Sequence, residues 1–406
     1  MSTPLRLRHY FTHFASLGGV QSIIRAHLDL DPKRNLDSSL LAFFDSPAQW
    51  ERTERIDGLG LTGRNSIAQT RRLFRSHERD AHYDIPIFHD LWGLSFLGEF
   101  DRQPKRRIGA IHSQWPHLDF QLQQLRGSLD GVFCDSQAIA DYVTEHWPEL
   151  GQERVKHLPV PIQIAPEKDF TKRQSLKGRR VVLGFVGRLD YAQKRVDRFP
   201  PLLKSLQGNG IDCELQFLGT GDASESLPQR FAPDAPVKFW GRQNAPKYWE
   251  IMKHWDFAIY TSDHEGSPLA MLEAMSVGNI PLFPEIKSGG DLVVKRIDPS
   301  LLYPSENWDR LAQVIQTWAK HPDELLHSHR VACREESLKH SPERYHEKFM
   351  TFLETTVSSP RISRDFATPR PFYVRDRIPF GLLKRHFPKA FYQANPIRPS
   401  VEPDQK

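Results

Sequence analysis

Apolar residues along this chain come in short blocks, and each block closes on a polar or glycine-bearing turn. "LRLRHYF" near the start reads as a strand. "GGVQSIIRAHLDL" reads as a turn opening a helix, with Val20, Ile23, Ile24 and Leu28 on one face. "SLLAFF", "DIPIFHD", "RIGAIHS" and "GVFCDS" read as further buried strands, and "SQAIADYVTEHW" as a helix with Ser136 as its N-cap. Residues 157–180, rich in proline and charge, read as a linker. A second series follows: "VVLGFVGRLD", a helix near 194–208, "CELQFLGTGD", "VKFWGRQ", a helix near 246–254, "DFAIYTSDHEG", a helix from about 268, then "NIPLFPE". Strands alternating with helices predict parallel sheets, so the fold class is α/β, with two Rossmann-like domains facing across a cleft. The expected boundaries are residues 1–165, residues 166–340, and a C-terminal helix with a basic tail, 341–406, crossing back to the first domain.

Composition narrows this picture. A chain of 406 residues with 39% hydrophobic and 11% aromatic content suits two cored domains rather than a disordered chain. No run reaches the ~18 apolar residues of a spanning helix, and "MSTPLRLRHYFTHF" lacks the apolar core of a signal peptide. Three scattered cysteines, Cys134, Cys213 and Cys333, form no CxxC pair and fit a reducing compartment, so the expected location is cytoplasmic. The net charge of +5 is concentrated at one end: residues 361–406 hold ten Lys and Arg against four Asp and Glu. The rest is nearly neutral, which argues against a nucleic-acid partner.

The candidate chemistry gathers at strand ends, where open parallel sheets bind ligands. Gly187 and Arg188 end one strand in "GFVGRLDYAQKR", and Lys194 follows six residues after the arginine. Arg and Lys converging there could clamp a diphosphate; alternatively the stretch is a solvated charged turn. In "SDHEGSPLAMLEAM", Glu265 and Glu273 stand eight positions apart around a helix start at Ser267-Pro268. Free N–H groups at such a terminus bind anions, and Pro268 suits the first turn because it needs no donor there. The two carboxylates suit sugar hydroxyls at opposite ends of an elongated ligand. Otherwise Glu265 caps the helix and Glu273 is a solvated helix residue.

These residues resemble a known family. "EGSPLAMLE" matches the E-x7-E signature of retaining GT-B glycosyltransferases, in particular the large family-4 group, and "GRLDYAQK" matches their Arg and Lys pair. "GFVGR", "FLGTGD", "VKFWGR" and "AMSVGNIPLF" follow in the expected order, so the resemblance is specific across residues 180–300 and looser before them. It implies a nucleoside-diphosphate sugar held by the second domain, with Gly187 at the strand end, Arg188 and Lys194 on the diphosphate, Glu273 on the ribose and Glu265 on the transferred sugar. Backbone N–H groups within residues 267–270 would complete the phosphate site, with Gly266, Ser267, Pro268, Leu269 and Ala270 all against the donor. In the first domain, "SLGGVQS" resembles the family's glycine loop, with Gly18 and Gly19 near the donor phosphates and Gln21 where the family commonly has Glu. By the same resemblance His112 would contact the donor sugar, with His89 and Asp90 nearer the acceptor. Each histidine could equally be structural. The Gly-Gly-Asp run at 289–291 resembles the family's glycine pair.

No D-x-D or His/Asp metal pattern sits at a strand end, and "GTGDAS" lacks a third glycine. The enzyme that the resemblance implies is a retaining hexosyltransferase, and the missing metal motif agrees with no metal and no cofactor beyond its donor, UDP being preferred to GDP. Its acceptor would be a saccharide or a lipid-linked glycan in polysaccharide, glycolipid or cell-envelope synthesis. A GT-B nucleotide-sugar epimerase and a catalytically silent sugar-nucleotide-binding protein are the alternatives. The tail stretch "RIPFGLLKRHFPKAFYQ" carries Phe380, Leu382, Leu383, Phe387 and Phe391 among basic residues, so it either lies on an anionic membrane surface or packs on the first domain.

Overall fold

The structure is a computed structural model. It describes residues 3–15, 18–46, 55–97, 106–112, 118–125, 127–171, 173, 175–263, 265, 268–287, 289–362 and 373–386. The chain divides into two compact units, Met1–Pro161 with Tyr345–Lys406, and Ile162–Arg344.

The first unit is built on seven strands: β1 Leu5–Phe11, β2 Leu36–Ala42, β3 Ile56–Gly58, β4 Ile85–His89, β5 Ile108–Ile111, β6 Gly131–Cys134 and β7 Val155–His157. Their order is β3-β2-β1-β4-β5-β6-β7, with every pairing parallel. β4, β5 and β6 are buried at every position, which is why they read as continuous apolar runs rather than alternating ones. The helix Gly19–Leu30 buries Val20, Ile23, Ile24 and Leu28 as the sequence predicts. Ser136 caps Gln137–His146 by accepting the Ile139 N–H.

The C-terminal residues complete this unit. In the helix Pro342–Ser358, Tyr345, Phe349 and Phe352 are buried, and Phe352 meets Phe133 of β6 at 5.9 Å. Arg106 donates to the carbonyls of Thr356, Val357 and Ser359 at that helix's end, where unpaired acceptors collect. Further on, the Phe380 and Gly381 N–H groups donate to Asn65 and Gly63. Phe380 and Leu383 are thereby buried in the unit's own core, while Leu382 is exposed. Two of the five apolar side chains proposed for a membrane surface are thus already covered by protein; Phe387 and Phe391 lie outside the described residues. Among the described residues no helix is long and apolar enough to cross a membrane.

The second unit carries β8 Val181–Val186, β9 Cys213–Leu218, β10 Val237–Phe239, β11 Phe257–Ile259, β12 Ile280–Glu285 and β13 Leu302–Pro304, in the order β10-β9-β8-β11-β12-β13. All of these pairings are parallel as well. The stretch read as a linker is not free: Ile162, Ala165, Asp169 and Leu176 are buried, and Phe170 packs on Gly278 and Arg334. Its prolines and charges concealed these buried anchors. The helix expected from 194 begins only at Phe199, after a short 3-10 turn, Val196–Arg198, so Lys194 sits in a loop. The Gly-Gly-Asp run opens the helix Gly289–Ile297, where Gly290 lies against the Phe283 ring and Asp291 accepts the N–H groups of Ile286 and Lys287.

At the centre of this sheet, Gly184 leaves room for an indole: a Cβ there would lie 1.8 Å from Trp255. Gly184→Ala should therefore destabilise the protein by about 1–3 kcal/mol or more, read as a lower urea midpoint at unchanged slope.

Candidate functional site

In the second unit, the carboxyl ends of the neighbouring strands β8 and β11 feed two loops that are tied together. The Gly187 N–H donates to the Leu218 carbonyl, and Gly187 sits at φ +151° beside Gly219 at φ +143°. A Cβ on Gly219 would come within 2.0 Å of the Gly187 carbonyl oxygen, so the loops after β8 and β9 touch backbone to backbone.

Asp190 then organises the turn. Its buried carboxylate accepts from the N–H groups of Gln193 (2.7 Å) and Lys194 (3.1 Å) and from Arg188 Nε (2.9 Å). Burial pushes this carboxyl up, but those donors outweigh it and hold it below the ordinary range. The loop after β11 is stitched to this turn: the Asp263 N–H donates to the Gln193 carbonyl, and Thr261 Oγ1 to that of Lys194. Arg195 and Arg198 both pair with Asp263, at 2.8 and 2.6 Å.

This stitching brings Lys194 and Glu265 together, with Nζ 2.6 Å from Oε1. Ser262 Oγ donates to the same oxygen at 2.6 Å. The Glu265 side chain is only 4% exposed and that of Lys194 19%, whereas the Arg188 guanidinium is 56% exposed. Glu265 therefore does not cap the following helix by itself; it is the counter-ion of Lys194.

That helix, Leu269–Ser276, has Pro268 as its N-cap rather than in its first turn, and no side chain among the described residues caps it. The Met271 and Leu272 N–H groups bond back to the Pro268 carbonyl. Pro268 has no N–H to offer, so of the expected phosphate contacts Leu269 and Ala270 are the described backbone donors. Gly266 and Ser267 lie outside the described residues. Glu273, in the second turn, is not a solvated residue. Its Oε2 accepts from the Tyr248 hydroxyl at 2.6 Å, and the Gln163 N–H also donates to it. Burial raises its carboxyl, against those two bonds, to about 7.

The first-unit candidates take a different form. Gly18 is exposed and extended, and the Gln21 side chain folds back past it to donate to the His13 carbonyl. Gly19 opens the helix, half-buried. His89 is 0% exposed, and the His112 side chain is 1% exposed. Both belong to a buried column in which Asp135 Oδ1 meets His112 Nδ1 (2.8 Å), His112 Nε2 meets His89 Nδ1 (2.8 Å), and His89 Nε2 meets His9 Nδ1 (3.0 Å). Burial holds His89 and His9 well below the ordinary histidine value, hence neutral at pH 7. The ring nitrogens of His89 and His112 are engaged with each other, because neighbouring parallel strands bring these residues side by side. Asp90, at φ +51°, is also buried and accepts the His112 N–H at 3.1 Å.

Among the described residues, His9, His27 and Asp31 bring donor atoms within 4.8 Å of one another, close enough to hold a metal ion. Two of the three are already hydrogen-bonded, since Asp31 accepts from His27 as well as from His346 and Ser38, while His9 Nδ1 is taken by His89.

Two functional-looking residues escaped the sequence reading. Asp190 was visible only as the acid two residues past Arg188. Tyr248 had no signal at all, since a tyrosine on another helix is unremarkable until the two helices meet.

Comparison with known proteins bears on the fold. Residues 167–339 match the family model described as glycosyl transferases group 1. Among curated proteins, no sequence matches the chain. Among solved structures, HepE of Anabaena in complex with UDP superposes with a TM-score of 0.66 at 17% identity, covering 86% of this chain and 100% of that one. The lipopolysaccharide outer core galactosyltransferase WaaB gives 0.61 at 18%, covering 86% and 99%. A TarM mutant from S. aureus, in complex with fondaparinux, alpha-GlcNAc-glycerol and UDP, gives 0.63 at 11%, covering 87% and 100%.

The ion pair yields a stability test. Lys194→Met leaves the Glu265 carboxylate buried beside Ser262 alone and should cost about 2–4 kcal/mol, while Lys194→Met with Glu265→Gln should recover most of it. Chemical denaturation of the two variants measures the difference. The fold is that of the GT-B glycosyltransferases, and the match of residues 167–339 supports a role in glycosyl transfer.

Proposed function

We propose that the protein is a retaining glycosyltransferase that moves a sugar from a nucleoside diphosphate to an acceptor hydroxyl. The observation that carries this reading is the Lys194–Glu265 pair, fixed between two stitched loops at adjacent strand ends and followed directly by a helix start. An ammonium has three hydrogens, so the bond to Glu265 aims Lys194 and leaves donors for a phosphate. Arg188, over half exposed, supplies a planar fork for the same diphosphate. The Leu269 and Ala270 N–H groups add the helix terminus, and all of these donors face the charge that develops as the diphosphate departs.

Glu273 takes the ribose and Glu265 the hydroxyls of the transferred sugar. With cations and backbone dipoles neutralising the leaving group, no metal is needed, and the departing phosphate accepts the proton of the incoming hydroxyl. Attack from the same face retains the anomeric configuration. UDP is the preferred nucleotide, since the HepE and TarM structures hold UDP. Recognition of the acceptor, a saccharide or a lipid-linked glycan, falls to the first unit.

The test is a thermal-shift screen against UDP, GDP, ADP and their common sugars, followed by turnover with the donor that binds. A ligand at ~100 times its dissociation constant should add about 2.7 kcal/mol of stability. Arg188→Ala should lower turnover by roughly 100- to 1,000-fold, and the product should keep the donor's anomeric configuration by proton NMR. Absence of a shift with every nucleotide overturns the reading; inversion overturns the mechanism.

A further inference from the structure

We propose that Tyr248 is a positioning residue for nucleotide recognition, its hydroxyl holding the Glu273 carboxylate in an orientation that accepts both hydroxyls of a ribose. The inference rests on the assignment of Glu273 to the ribose and explains how that contact becomes selective.

A glutamate side chain has several rotatable bonds, and ordering it on a ligand costs rotamer entropy. Here the ordering is done beforehand. Tyr248 comes from the helix Lys247–Met252 and Glu273 from Leu269–Ser276, and their 2.6 Å separation is that of a hydroxyl donating to an ionised acceptor. The tyrosine is itself braced: its ring meets Trp249 edge-on at 4.8 Å, and Trp249 is buried. Burial and the neighbouring Glu273 keep its hydroxyl well above the ordinary tyrosine value, so Tyr248 is always the donor. A second anchor comes from the main chain, where the Gln163 N–H donates to the same carboxylate. A carboxylate offers roughly four acceptor positions; these two donors leave about two, the number a vicinal diol requires.

Acidity follows from the same contacts. The groups that act on Glu273 are Tyr248 and the Gln163 N–H, and Tyr260 feels its charge from the end of β11. Both bonds favour the ionised form, which burial opposes. Ribose recognition needs that form, so it is half present at about pH 7, complete only well above it, and fades as the carboxyl takes up its proton. Losing the Tyr248 hydroxyl raises the carboxyl further and moves the fading to higher pH.

The experiment compares wild type, Tyr248→Phe and Glu273→Gln as full-length proteins, by calorimetric titration between pH 6 and 8.5. The probes are UDP and 2′-deoxy-UDP, or the GDP or ADP pair if that nucleotide binds more tightly. Wild type should prefer the ribonucleotide about tenfold or more at pH 8. Tyr248→Phe should reduce the preference to about threefold or less and shift the acid limb upward, leaving the deoxynucleotide affinity within about twofold. Glu273→Gln should abolish both preference and pH dependence. If Glu273→Gln behaves so while Tyr248→Phe keeps the wild-type preference and limb, or weakens both nucleotides alike, the positioning role is overturned and the ribose assignment stands. If wild type shows no preference, or Glu273→Gln retains it, the assignment falls and the positioning role with it.

Discussion

A parallel sheet delivers the carboxyl ends of all its strands to one edge, and what distinguishes such proteins is how the loops leaving that edge are held. In the second unit the holding is done by one acid at a time: Asp190 gathers the turn after β8, and Asp263 ties it through Arg195 and Arg198 to the loop after β11. Only because both loops are fixed do Lys194 and Glu265, distant in sequence, end within hydrogen-bond reach. Without the stitching, a long lysine would wander in solvent, and a carboxylate buried beside Ser262 alone would not keep its charge cheaply.

A consequence for electrostatics follows. Lys194 and Glu265 together carry no net charge, and Arg188 is likewise paired with Asp190 at 2.9 Å, so the unbalanced positive potential at this edge comes from the helix terminus. Each acid sets the direction of its cation. On the same short helix the order is reversed, with Tyr248 directing the Glu273 carboxylate.

Most of the fold was legible in the sequence because the central strands carry strong apolar content, continuous in β4, β5, β6 and β8 and alternating with polar residues in β1 and β9. β1, β4, β5, β6, β8, β9 and β12 all appear as runs closed by turns. All four edge strands are three residues long and pair on one side only; β10 was read, but β3, β7 and β13 were not, such segments being too short for any periodicity. At the site, the strand-end positions of Arg188, Lys194, Glu265 and Glu273 could be read from spacing, but not that Lys194 would meet Glu265 or that Tyr248 would reach Glu273, since these are contacts across the sheet edge. The histidine column was hidden for a related reason. In a parallel strand buried on both faces, a polar residue at the end gives no sign of whether it points out or in, and His89 and His112 point in.

The inward column changes how the first unit meets acid. Each ring hands one nitrogen to the next, ending at His9 Nε2, which has no partner. The unfolded chain takes up protons on His9 and His89 near pH 6.5, whereas the folded rings resist until much lower pH. Across that interval, mild acidification draws free energy away from the native state of this unit.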